Sequence, residues 1–66
     1  MNKLTVSEKN IMKHLIETQD NLILKFEEYS KITKEPQLKI EFQKLCASSR
    51  NHKNKLVSVV TGNESE

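Results

Sequence analysis

The chain carries one proline, Pro36, near its middle, and its single glycine, Gly62, stands close to the end. Those are the two residues that most readily interrupt a helix, so the long stretches on either side of Pro36 are free to run without a break. Apolar residues in both stretches recur at helical spacing. Ile11, Met12, Leu15, Ile16, Leu22, Ile23, Phe26 and Tyr29 follow the i, i+3, i+4 pattern. Downstream, Leu38, Phe42, Leu45, Ser49, His52, Leu56 and Val59 are separated by alternating steps of 4 and 3, the seam of a helix packed at a shallow angle on another. The pattern predicts an all-α chain, one helical-hairpin domain over residues 1–66, with helices over about 7–32 and 36–60 and a frayed polar tail over 61–66.

Two starts are open for the first helix. Ser7 can cap it, with Val6 and Ile11 as a hydrophobic staple, or Thr5 and Glu8 can form a capping box two residues earlier. Pro36 suits the first turn of a new helix and biases Glu35 away from helical geometry, so Thr33 to Glu35 reads as the connection. A connection this short makes the helices antiparallel neighbours. Gly62 supplies the expected stop.

A hairpin of 66 residues buries only roughly 60% of the surface of its unfolded chain, and Cys46, the sole cysteine, allows no internal disulfide or multi-cysteine zinc site. The remaining route to stability is a partner subunit. If Ile11, Leu15, Leu22 and Tyr29 face the second helix, then Met12, Ile16, Ile23 and Phe26 form an adjacent stripe that one partner helix leaves partly wet. Burying a large apolar side chain contributes ~1.5–3 kcal/mol, so this stripe is expected to be a homodimer interface and the product a four-helix bundle.

Ser49 and His52 interrupt the apolar seam at mid-helix. A turn centred near Lys34 or Glu35 puts His52 near Thr18, and Ser49 near Gln19 or Asp20, so Thr18, Gln19, Ser49 and His52 are expected to form a polar layer. One reading is a metal or ligand site built on His52 with Glu17 or Gln19. The other, preferred here, is a buried histidine hydrogen-bonded to Thr18, Gln19 or water, fixing register. A single histidine without a correctly spaced carboxylate is a poor metal site.

Other chemistry is weaker still. His14 and Glu17 read as a solvated pair one turn apart, Cys46 as a small hydrophobe, and Ser48, Ser49 and His52 lack the orienting acid of a triad. No glycine-rich phosphate loop is present. Lys39, Lys44, Arg50, Lys53 and Lys55 stand against one nearby acid, Glu41, yet no aromatic residues interleave with them, so a solvated helix face is preferred to a nucleic-acid footprint. The opening MNKLTVSEKN has no apolar signal core, and no segment has ~18 consecutive apolar residues. A cytoplasmic setting follows as the expectation, with no membrane span.

The run LTVSEKNIMKHLIETQDNLILKFEEYSKITKEPQLKIEFQKLCASSRNHKNKL resembles one ferritin-like helix pair, in particular that of the spore-coat F family of spore-forming bacteria. Ser7, Tyr29, Glu35-Pro36, Leu38, Phe42 and His52 stand where that family has its capped start, the tyrosine ending its first helix, its turn, its Leu-x-x-x-Phe and its second-helix histidine. The resemblance implies a structural, coat-like protein, and proteins of the spore-coat F kind are not expected to be iron enzymes. Iron-binding members carry Glu-x-x-His in the second helix, whereas this chain has Ser49-Arg50-Asn51-His52, and Thr18 or Gln19 stands where the first helix needs an acid. The expected function is therefore a non-enzymatic structural or protein-interaction module, homodimeric and without cofactor or metal. The alternative is a small regulatory hairpin that docks on another protein.

Overall fold

The computed structural model describes the backbone of residues 4–64 and the side chains of 4–62. Two helices, α1 (Val6–Ile32) and α2 (Pro36–Glu64), pack against each other along their length, and no strand occurs among the described residues. Thr5, not Ser7, caps α1. Its backbone N–H donates to the Glu8 carboxylate at 2.9 Å, and its hydroxyl accepts from the Glu8 N–H at 3.1 Å, which completes the capping box. The Thr5 backbone donor, followed by the Thr5 hydroxyl, holds the fully exposed Glu8 carboxyl below the ordinary glutamate range.

The connection over 33–35 is anchored on both sides. Thr33 donates its backbone N–H to the Tyr29 carbonyl at 3.0 Å and its hydroxyl to the same oxygen. The Glu35 carboxylate accepts from the backbone N–H groups of Gln37, at 3.1 Å, and Leu38, at 2.6 Å, satisfying donors that a helix N-terminus leaves unpaired. Gly62 does not end α2. The helix continues through it to Glu64, with no positive-φ glycine among the described residues, so the expected stop near Val60 is replaced by four further helical residues. A glycine is a permitted stop and not an obligatory one, and nothing beyond it forces the chain to turn. Of the expected tail, Ser65 and Glu66 lie outside the described residues.

The helices meet through a different line of α1 from that expected, and through only part of the expected seam of α2, Phe42, Ser49 and Leu56. On α1 the residues at least half-covered at the seam are Met12, Ile16, Gln19, Ile23, Phe26 and Ser30; on α2 they are Phe42, Cys46, Ser49, Lys53, Leu56 and Val60. Both sets alternate steps of 4 and 3, as positions a and d of a heptad do. Ile23 and Cys46 are each 8% exposed and Ser49 6%. The Cys46 thiol reaches the Ile23 carbonyl at 3.9 Å, and Phe42 stacks on Phe26 with ring centroids 6.5 Å apart and tilts against Tyr29 at 5.5 Å.

Met12, Ile16, Ile23 and Phe26, expected as an outer stripe, thus line the inner seam instead. Ile11 and Leu15, expected to face α2, are exposed, as are Leu38, Leu45, His52 and Val59, while Tyr29 of the same expected stripe keeps its ring against Phe42 and Leu22 is half-buried. Two features explain the choice. Cys46 and Ser49 are small, which lets the backbones approach closely enough for the thiol to reach the opposite carbonyl. Rotating α2 to bring Leu45 and His52 inward would also carry Arg50 away from Glu27 and Lys53 away from Asp20, and both pairs are formed here.

Candidate interaction face

In heptad terms, with the seam at a and d, the residues just beside it fall on the e and g lines, and in an antiparallel pair e faces e and g faces g. The e line of α1 carries Lys13, Asp20 and Glu27, and that of α2 carries Gln43, Arg50 and Val57. This flank is bridged by cross-helix ion pairs, Arg50 with Glu27 and Lys53 with Asp20 at 2.6 Å. Lys53 occupies a seam position by laying its aliphatic stem between the helices and sending its ammonium out to Asp20.

The g lines differ. On α1 they hold Leu15, Leu22 and Tyr29; on α2 they hold Leu38, Leu45, His52 and Val59, each seven residues from the last. Ile11 lies beside them, one turn before Leu15. Of these, Ile11, Leu15, Tyr29, Leu38, Leu45 and Val59 are each more than two-fifths exposed, Ile11 reaching 59%. Leu15, Gln19, His52, Lys55, Leu56 and Val59 line an open groove of about 400 Å³ between the helices on this side. One flank of the hairpin is therefore charged and bridged at its middle, with a smaller groove of about 320 Å³ beside Lys13, Ile16, Glu17 and Val60, and the other is apolar and open.

The expected polar layer is only partly assembled. Ser49 is buried in the seam, Thr18 is exposed and donates its hydroxyl to the His14 carbonyl at 3.0 Å, and His52 lies on the open face. Gln19 is half-buried, shares the groove with His52, and keeps its Oε1 buried with no hydrogen-bond partner. His52 and Gln19 thus line one groove outside the dry seam, whereas the register in the sequence sets His52 near Thr18 and Gln19 near Ser49. Among the described residues no three His, Cys, Asp or Glu side chains gather as a metal site, and no helix is long and apolar enough to cross a membrane. Arg50 and Lys53, two of the five cations in the basic segment, are taken up by acids of α1.

Sequence reading missed the ion-paired flank. Its signal was present: Asp20 and Glu27 are spaced by one heptad on α1, within side-chain reach of Lys53 and Arg50 on α2. Comparison with known proteins returned no match among family models, curated proteins or solved structures.

Proposed function

We propose that the chain is a non-enzymatic structural module that pairs with a second copy through its open face, giving a four-helix bundle. The observation that carries this reading is the width of the apolar stripe. A two-helix contact needs positions a and d alone, whereas on both helices the stripe extends to g, and to the same flank of the hairpin. Stripes of three positions per heptad are what helices of a bundle require.

Area favours a second copy as the occupant. The accessible surface is 5128 Å², about 800 Å² more than a compact protein of 7.7 kDa exposes. A face of 47 × 16 Å offers about 750 Å², close to the ~800 Å² that each partner contributes to a standard interface. No side chain among those described is fully buried, so the single hairpin is short of core. An assembly of this kind suits the coat-like role that the resemblance of residues 4–56 suggests, and the poverty of catalytic or metal-binding groupings gives no reason to assign a reaction.

Sedimentation equilibrium tests the proposal. The expected mass is twice 7.7 kDa at micromolar concentration. Leu45→Asp should return a helical monomer, because the new carboxylate is solvated in the single hairpin and buried in the dimer. Leu24→Asp, on the outer surface of α1, should remain a dimer. A wild-type mass of 7.7 kDa up to about millimolar concentration would refute self-association, and would favour a regulatory hairpin whose open face receives a helix of another protein.

A further inference from the structure

Resting on the dimer proposed above, we infer that acid opens it, with His52 as the group that takes up the proton. The helix midpoints are Gln19 in α1 and Arg50 in α2, so Thr18, Gln19 and His52 sit at the waist of the open face. Apolar residues continue on both sides of them, Leu15 and Val59 toward the chain ends and Leu22 and Leu45 toward the turn.

Two copies placed face to face by a two-fold axis have that axis in the plane of contact, running either along the long dimension or across it. If the face is covered end to end, both placements bring waist onto waist. His52 then meets the partner's copies of Thr18, Gln19 or His52 itself, inside a layer flanked by leucine and valine. A neutral imidazole suits that layer, since its N–H can serve the Gln19 Oε1 that lacks a donor in the single hairpin.

An imidazolium does not suit it. On this side of α2 the nearest charged group is Lys55, which lines the same groove. From α1 this side carries Glu8 and Tyr29 on the g line, with His14, Lys25 and Glu28 beside it, and of these His14 and Lys25 stand nearest the waist. The acids lie elsewhere: Asp20 and Glu27 on the opposite flank with Lys53 and Arg50, Glu17 on that flank too with Lys9 and Lys13, and Glu8, Glu28 and Glu41 each about three turns along the helices from the waist. Protonating both waist histidines therefore sets like charges together in a layer closed to water, with no carboxylate to answer them. The proton is bound more readily by the separated hairpins than by the dimer, so association weakens as pH falls. With two histidines per dimer the dissociation constant can rise by up to about 100-fold per pH unit.

The experiment measures the dimer dissociation constant by sedimentation at pH 8.0, 7.0, 6.0 and 5.5 at fixed ionic strength, for wild type, His52→Gln and His14→Gln, with helix content followed by circular dichroism. Wild type and His14→Gln should each weaken by at least about tenfold between the two ends of the series, while His52→Gln stays level and all three keep their helices. A wild-type constant that does not move, or a His52→Gln protein that weakens equally, overturns the inference and leaves the dimer standing. Acid unfolding of wild type and His52→Gln alike overturns it too, since the proton then acts elsewhere. A wild type that is monomeric at pH 8.0 overturns the dimer and the inference together.

Discussion

Replacing Ile23 by alanine tests which line of α1 holds the hairpin together. The substitution removes three carbons from a side chain only 8% exposed, and at ~0.8 kcal/mol for each buried methylene the loss is about 2.5 kcal/mol. The cavity contribution should be small, because the open flank lets neighbouring side chains settle into the space, so the effect belongs at the lower end of the ~2–5 kcal/mol range for such truncations. For a 66-residue chain, whose whole stability is expected to be roughly 3–10 kcal/mol, that is a large fraction. The melting temperature should fall by about 10–20 °C. Leu24→Ala removes as many carbons from the adjacent position, which is 63% exposed, and should change stability by less than about 0.5 kcal/mol. Thermal melts followed at 222 nm, with all proteins at one concentration, measure both. If Leu24→Ala costs as much as Ile23→Ala, or if Ile23→Ala costs under about 1 kcal/mol, the assignment of the inner seam is refuted.

Gly62→Ala should raise stability by up to about 1 kcal/mol, since the position is helical and the added methyl meets nothing within 4 Å; a loss in the same melting assay would count against a helix continuing to Glu64. Glu8 ionises below the ordinary glutamate range, so its contribution to the α1 cap is fully present above that range and is lost as pH falls through the lowered value; a carbon-detected titration of Thr5→Ala should find the Glu8 value moved upward. Arg50→Met should cost no more than ~1 kcal/mol, because Arg50 and Glu27 are both partly exposed and solvent screens their attraction; a double-mutant cycle with Glu27→Gln measures the coupling directly.

The helices, their break and their antiparallel pairing were legible in the sequence because each depends on local chemistry: helical spacing, a proline at a first turn, a capping threonine. The rotation of the helices about their own axes was not. Both helices carry two adjacent apolar lines, and counting apolar residues ranks Leu45 and His52 as high as Cys46 and Lys53. What decides between them is cross-helix: the small side chains of Cys46 and Ser49 near Ile23, and two acids of α1 within reach of two bases of α2. The same ambiguity displaced the candidate site. Phe42, Ser49 and Leu56 hold the inward positions expected of them, while Leu38, His52 and Val59 belong to the open face. Reading the stripe as broader than one partner helix needs was independent of that rotation, which is why the expectation of an uncovered face survives with different residues on it.

The doubly anchored turn has a consequence for the order in which the hairpin forms. Thr33 ties the last turn of α1 and Glu35 ties the first turn of α2, so the chain ends that must meet are separated by three residues and little loop entropy opposes their closure. Tyr29, Phe26 and Phe42 lie immediately beyond and provide the first apolar contact. Pairing can then advance outward one heptad at a time, and opening should retrace it from the end farthest from the turn. Amide hydrogens around Phe26 and Phe42 should accordingly exchange slowest and those near Lys9 and Val57 fastest, a gradient along the rod in which shortening both helices by a heptad at the open end removes the least protected layer first.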